Sequence, residues 1–410
     1  MSAQCRFCGS PGLLSIADLG MSPLANSYLK QEHLSRVERF YPLHALFCER
    51  CFLVQLEEFE TPEHIFTDYS YFSSFSESWL RHAQSYVENI VERFQYNESS
   101  FVVEIASNDG YLLQYFLQRN IPVLGIEPAV NVAQEARRKG VPTLVKFFGT
   151  ETAQELASQD RRADLIVANN VLAHVPDLND FARGLSILLK HGGIVTIEFP
   201  HLLRLISERQ FDTIYHEHFS YFSFAVAERV LAAHGMRVFD VEEIPTHGGS
   251  LRVFGCHRTC DTLQTSARVK ELRSTEQSAG LQNPGAYRAF ADCVKAAKRS
   301  FMRFLIDAKE AGKHVAGYGA PAKASTLLNY CGIRTDLLEY TVDRSPHKQG
   351  RYLPGVHVPI LEPSRILETK PDYVVIFPWN IKDEIMDQMA FIRTWNGKFV
   401  VAIPQVQVFD

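Results

Sequence analysis

"FVVEIASNDGYLLQYF", residues 101–116, decides the fold. It opens with a short apolar run rich in valine and isoleucine, as in a strand buried on both faces. A tight polar turn follows, Ala106-Ser107-Asn108-Asp109-Gly110, and then a helix begins. A strand that turns directly into a helix sets backbone N–H groups and a positive helix end beside a ligand. Glu104 lies inside the strand, and Glu127 ends the next apolar run, "PVLGIEP" at 122–128. An acid at that place can accept hydrogen bonds from both ribose hydroxyls of a nucleoside. The pattern fits a dinucleotide or S-adenosylmethionine. A dinucleotide turn needs GxGxxG so that backbone can approach a pyrophosphate. This turn has one glycine and polar side chains, which suit a zwitterionic amino-acid tail, so S-adenosylmethionine is the preferred reading over NAD. The third run, "ADLIVANN" at 163–170, ends in Asn169 and Asn170, with His174 just beyond. The candidate cofactor residues are Glu104, Ala106, Asn108, Gly110, Glu127, Asn169 and Asn170.

Outward from this unit the pattern repeats. "GGIVTIEFP" (192–200) is a fourth run, and helical segments separate them all. "HVAGYGA" (314–320), "LLEYTVDR" (337–344), "DYVVIFPW" (372–379) and "GKFVVAIP" (397–404) suggest a second series. Strands alternating with helices mean an α/β protein with parallel sheets. The expected sections are residues 1–70, 71–262 and 263–410. The polar stretch "RTCDTLQTSARVKELRSTEQSAGLQNPG" (258–285) is the most linker-like segment. Net charge is −5. Without a basic excess, nucleic acid is not expected as a main partner. No apolar run is long enough for a membrane span, and the start lacks a signal-peptide pattern, so a cytoplasmic setting is expected.

The eight cysteines are then read as thiols or ligands rather than disulfides. Cys5 and Cys8 form one CxxC, and Cys48 and Cys51 another. Two such knuckles make a closed tetrahedral site, the structural form of zinc binding, with no open position for catalysis. Cys256, Cys260, Cys293 and Cys331 lack paired spacing and read as core or incidental thiols.

Two further motifs carry chemistry. "IYHEHFSY" (214–221) packs His216, Glu217 and His218 between tyrosines. It reads as a metal site, a general base or a strand end. Its spacing is not HExxH, and a complete thiolate set lies elsewhere. "GYGAPAKAS" (317–325) follows a strand, with Gly317 and Gly319 permitting a tight turn and Lys323 early in the next helix. Backbone N–H groups, a helix dipole and one cation make a diphosphate cradle. Asp343 at the next strand end reads as an NAD ribose acid, which keeps an NAD-dependent oxidoreductase open as a rival. Lys348, Arg351 and Tyr352 in "HKQGRYLPG" (347–355) are candidate phosphate or nucleotide contacts.

With these motifs together, the chain resembles the sugar C-methyltransferases of deoxysugar biosynthesis, which act on nucleotide-linked 4-keto-6-deoxyhexoses. The resemblance runs end to end. It rests on CxxC…CxxC, "EIASNDGYLL" (104–113), "FDTIYHEHFSYFS" (211–223), "HGGSLRVF" (247–254) and "GYGAPAKASTLLNY" (317–330). Ala106 departs from the family pattern, which has glycine there. The resemblance implies an N-terminal zinc domain, a central class I (Rossmann-like) methyltransferase domain and a C-terminal Rossmann-like domain that helps hold the nucleotide-sugar. It implies methyl transfer from S-adenosylmethionine to a ring carbon beside the 4-keto group, at C3, with C5 the close alternative. Removing a proton α to a ketone requires a base near the carbon and a donor near the enolate oxygen. His218 is the candidate base and Glu217 the alternative. In an extended chain these neighbours face opposite sides. Tyr215 would donate or position the ring, and Tyr69, in "TDYSYFSS", is a further active-site tyrosine. His174 would lie near the methyl or the sugar, and His216 reads as structural. Substrate contacts fall to Gly319, Lys323, Lys348, Arg351 and Tyr352. A monomer is expected. A non-enzymatic zinc-anchored binding protein is the remaining class, and retained Glu104, Glu127 and the histidine motif argue against it.

Overall fold

The apolar runs form three sheets in the computed structural model, which describes residues 4–61 and 72–410. An antiparallel sheet holds β1 (Leu13–Ser22), β2 (Tyr41–Cys48) and β3 (Val54–Gln55). Its fourth strand, β9 (Ser220–Tyr221), comes from the middle of the chain and pairs with β3.

The central sheet contains β4 (Val102–Ile105), β5 (Val123–Ile126), β6 (Thr143–Leu144), β7 (Ala163–Asn169), β8 (Leu189–Pro200), β10 (Met236–Ile244) and β11 (Ser250–His257). Their spatial order is β10-β11-β8-β7-β4-β5-β6. Strands β4 to β8 run parallel, as expected. The wholly parallel expectation fails at β11, which is antiparallel to both neighbours. The reason is the short "PTHGG" connection from β10, because a short link closes a hairpin whereas a parallel crossover needs a dozen or more residues. This is the Rossmann-like arrangement that the resemblance implies. Strand order reverses between β4 and β7, and ligands bind beyond the carboxyl ends at such a point.

The third sheet has β12 (Val315–Tyr318), β13 (Thr341–Val342), β14 (Arg351–Tyr352), β15 (Pro359–Leu361), β16 (Tyr373–Ile376), β17 (Lys398–Val401) and β18 (Gln407–Phe409). Its order is β14-β15-β13-β12-β16-β17-β18, with antiparallel β14 and β18 at the edges. Its own switch point lies between β12 and β16.

Helices knit the sheets together. Helix α1 (Glu77–Phe94) opens the central section, with the Ser76 side chain accepting from Trp79 N. The 258–285 stretch is not a linker: it contains helix α2 (Ala267–Ser278) and leads into α3 (Pro284–Glu310). Asn283 caps α3 and Pro284 starts it, as that position favours. Buried Tyr287, Phe290, Val294, Phe301 and Leu305 recur at helical spacing along one face. Tyr287 stacks on Phe47 of β2 at 4.5 Å between ring centroids. The same core includes Leu327 and Val375 of the third section. The first and third sections therefore share one core, with α3 between them. Each fully buried aromatic contributes about 2–3 kcal/mol.

Polarity disguised how α2 docks. Glu276 is wholly buried and accepts from His201 Nε2 at 2.7 Å, Ala225 N at 2.9 Å and Phe224 N. The last two N–H groups open helix Phe224–Ala233, where a carboxylate satisfies donors that no helical carbonyl can reach. Glu276→Ala should strand these donors and cost about 3 kcal/mol. A lower Tm, with hydrogen-exchange protection lost first over 224–233 and 267–278, would record it.

Candidate active site

The 106–110 turn alternates its handedness. Ala106, Asn108 and Gly110 take φ of +55°, +51° and +77°. Only the glycine does so freely, which gives a physical cause for the strain at Ala106. Glu127 staples the turn to the end of β5: Oε2 accepts from Asn108 N and Oε1 from Ala129 N, both at 2.9 Å. Its two oxygens thus carry backbone bonds, with their second lone pairs left for a ligand. Asn108 Oδ1 accepts from Ser73 N at 2.9 Å, and Asp109 Oδ2 from Lys139 Nζ at 2.9 Å. Among the described residues, several buried polar atoms around this switch point lack partners. They are Glu104 Oε2, Ser107 Oγ, Asp109 Oδ1 and both amide atoms of Asn169 and Asn170. Burial raises the Glu104 carboxyl well above its usual range, helped by Glu127 and Asp109. Unpaired buried polar groups are costly, and a ligand rich in hydroxyl, amine and carboxyl groups would satisfy them. The chemistry of this set fits S-adenosylmethionine.

The histidine motif is not extended. His218 N donates to Tyr215 O at 2.9 Å, closing a tight turn over 215–218. The extended-chain premise therefore fails here, and the turn brings Tyr215 and His218 together. The Tyr215 hydroxyl donates to His218 Nε2 at 2.8 Å, and His218 Nδ1 donates to Thr213 O at 3.0 Å. These partners assign the proton to Nδ1 and the lone pair to Nε2. His174 Nδ1 donates to Glu217 O at 2.7 Å, and its ring meets that of His218 edge-on at 4.8 Å. Burial moves these groups in opposite directions because it disfavours charge. His174 falls to about 4 and His218 well below its ordinary value. The Glu217 carboxyl rises to about 7, moderated by Asn26 Nδ2, which donates to Oε1 at 2.7 Å. His216 turns away and bonds Pro42 O at 3.2 Å. Tyr69 lies outside the described residues.

Facing this segment is the second switch point. Gly319 has φ of +87°, and a Cβ there would lie 2.6 Å from Pro378. Asp343 accepts from Ala320 N at 2.7 Å and Ser345 N at 2.8 Å, so its carboxylate braces its own turn. Lys348 Nζ donates to Ala320 O at 3.0 Å. Lys323 Nζ donates to Asn380 Oδ1 at 2.5 Å and sits 4.4 Å over the Trp379 ring. Trp379 Nε1 donates to Asp212 Oδ2 at 2.7 Å. Burial brings Lys323 down to about 8 and Asp212 up to about 6, each opposed by the other's charge. Arg351 and Tyr352 form β14, where the Tyr352 backbone pairs with Leu29. Asp212 and Trp379 lie within "FDTIYHEHFSYFS" and "DYVVIFPW", where no local pattern signals that they pair. Asn26 and Tyr28 gave no signal, being polar residues in a loop without periodicity.

The four thiols come together without any of this. Their Sγ atoms all lie within 4.8 Å of one another, with Cys5–Cys51 at 3.5 Å and Cys8–Cys48 at 3.6 Å. Tetrahedral zinc with bonds of about 2.3 Å requires sulfur separations of about 3.8 Å. The set fits one such ion.

Family models match in chain order: a zinc binding domain over residues 5–66, a methyltransferase domain over 79–241 and a C-methyltransferase C-terminal domain over 245–404. C-methyltransferase NovU of Streptomyces niveus is 35% identical over 407 residues, covering 99% of this chain and 97% of that protein. The chain belongs to the S-adenosylmethionine-dependent C-methyltransferase family. Solved structures similar to this C-methyltransferase include magnesium protoporphyrin IX methyltransferase from Synechocystis PCC 6803. It shows 15% identity, covers 43% of this chain and 79% of that one, and has a TM-score of 0.34. The PH0226 protein from Pyrococcus horikoshii OT3 shows 13% identity, 49% and 100% coverage, and a TM-score of 0.38. No helix among the described residues of the C-methyltransferase is long and apolar enough to cross a membrane.

Restoring glycine should relieve the turn: Ala106→Gly is expected to stabilise the enzyme by about 1 kcal/mol. Denaturant titration measures it, and an unchanged or lower midpoint would refute the strain.

Proposed function

We propose that this C-methyltransferase moves a methyl group from S-adenosylmethionine to C3 of a nucleotide-linked 4-keto-6-deoxy sugar through an enolate. The observation carrying this reading is that the Tyr215–His218 pair and the Glu217 carbonyl meet His174, which follows β7 and its terminal Asn169 closely in the chain. Glu104, Glu127, the 106–110 turn and the two asparagines would hold the cofactor, which supplies an electrophilic methyl group when bound. Residues 71–262 would form that cofactor domain. Residues 263–410 would take the nucleotide-sugar, with its diphosphate on the Gly319–Ala320 turn near Lys323 and Lys348, and Arg351 and Tyr352 further out. The resemblance read from the motifs supplies the substrate class.

In this mechanism His218 Nε2 takes the C3 proton. The C–H electron pair spreads onto the 4-keto oxygen, and C3 then forms the new bond to the methyl group as the methyl–sulfur bond breaks, its electron pair going to sulfur and S-adenosylhomocysteine leaving. Thr213 O keeps the His218 proton on Nδ1, so the correct nitrogen faces the substrate. The Tyr215 hydroxyl, displaced from Nε2 by the sugar, donates to the enolate oxygen. Glu217 accepts a hydrogen bond from a sugar hydroxyl, and that bond is stronger when the carboxyl is ionised.

The pH dependence separates the two candidate bases. His218 is held neutral well below its ordinary value, so kcat should stay level down through pH 6.5. Glu217 protonates as pH falls through about 7, so kcat/KM for the sugar should drop there, and Glu217→Gln should abolish that limb. A kcat limb at about 7 would instead make Glu217 the base. His218→Asn should cut kcat by about 10²–10⁴-fold with sugar-nucleotide affinity preserved. Incubation with labelled S-adenosylmethionine and a panel of nucleotide-linked 4-keto sugars, with NMR location of the label, tests the reaction itself.

Residues 1–70 would bind one zinc ion through Cys5, Cys8, Cys48 and Cys51. With its shell filled, the ion is structural. Chelation should remove hydrogen-exchange protection from β1 to β3, and intact protection after complete metal removal would overturn this assignment.

A further inference from the structure

The loop between β1 and β2 reaches away from the cysteine cluster and into the site. It is pinned to the C-terminal section at both ends. Ser325 Oγ donates to Ala25 O at 2.8 Å, and the Leu29 and Tyr352 backbones exchange hydrogen bonds of 3.0 and 2.9 Å. Between these pins, Asn26 and Tyr28 stand two residues apart. Asn26 Nδ2 donates to Glu217 Oε1 at 2.7 Å, which orients the amide so that Oδ1 lies 3.1 Å from the Tyr28 hydroxyl. That hydroxyl is 2.6 Å from Ala320 O, the carbonyl that also accepts from Lys348. Lys348 Nζ also stands 5.3 Å from the centre of the Tyr28 ring. The single Tyr28 proton is shared between these two acceptors and lies toward the nearer Ala320 O, so polar contacts run from Glu217 through Asn26 and Tyr28 to the Ala320 turn.

We infer that Asn26 is a positioning residue for Glu217 and that Tyr28 ties it to the diphosphate-receiving turn. The N-terminal section is thus a working wall of the substrate site, not only a metal-bound scaffold. This rests on the proposed reaction. The titratable groups around this contact are Tyr28, which interacts with both Glu217 and Lys348, and His174, which bonds the Glu217 carbonyl and meets the His218 ring edge-on. Asn26 is the donor that favours its ionised form. Without that donor the carboxyl titrates at higher pH, and the ionised fraction at neutral pH falls.

The test compares Asn26→Ala, Asn26→Asp and Tyr28→Phe in the full-length zinc-loaded enzyme. Asn26→Asp keeps the shape while losing the donor. Both Asn26 variants should lower kcat/KM for the sugar at pH 7 by roughly 10-fold or more and move its acid limb to higher pH, with KM for S-adenosylmethionine unchanged. Tyr28→Phe should raise the sugar KM about threefold at constant kcat. In a Glu217→Gln background, Asn26→Ala should add little. An unmoved limb in both Asn26 variants, or additive losses with Glu217→Gln, would overturn the inference. Infrared titration of the carboxyl band lost in Glu217→Gln reads the same shift without turnover. Failure of wild type to methylate any ketosugar would therefore strike the reaction reading, whereas an unmoved infrared titration would strike the Asn26 link.

Discussion

Residues 211–223 are held from three directions, and the site exists only where those holds agree. The C-terminal section grips Asp212 through Trp379 and the Ile214 carbonyl through Thr326. The N-terminal section grips His216 through Pro42, Glu217 through Asn26, and Ser220–Tyr221 through β3. The central section grips the Glu217 carbonyl through His174 and bridges Phe222 to His201. The segment has almost no regular structure of its own. It is over-determined by neighbours, which is how a tight turn of polar side chains can be buried with its backbone groups paired.

That enclosure also sets the chemistry. One cause, removal from water, lowers His174 and His218 and raises Glu217 and Asp212. Neutral imidazoles are then available to accept a proton, while Glu217 sits at the edge of ionisation near neutrality. Pairs whose environments push them apart mark a division of acid and base roles. Lys323 follows the same logic with its charge on an aromatic face beside Asp212.

Legibility followed the range of the forces involved. Strands β4, β5 and β7 and the turn after β4 were readable because period, apolar content and one glycine are local properties. Two CxxC pairs were readable because the knuckle is a local geometry. The direction of the antiparallel β11 is not written in its apolar content, because the short link before it decides that direction. Helix α2 looked like a linker because its docking uses a buried carboxylate, Glu276, instead of an apolar stripe. The Tyr215–His218 turn was missed because adjacent polar residues carry no sign of whether the chain bends.

The sequence by itself determined the α/β class, the cofactor-type turn, the four-thiol set and the residue types of the histidine motif. Each is written in neighbouring positions, where sterics, periodicity and spacing act directly. Only the tertiary structure decided which nitrogen of His218 carries the lone pair, in which direction Glu217 is pushed, and that Asn26 bonds Glu217 while Tyr28 reaches the Ala320 turn. Those properties depend on desolvation and on hydrogen bonds between groups far apart in the chain, such as Asn26 and Glu217. No local pattern encodes such partners, because they exist only once three sections have packed around the same turn.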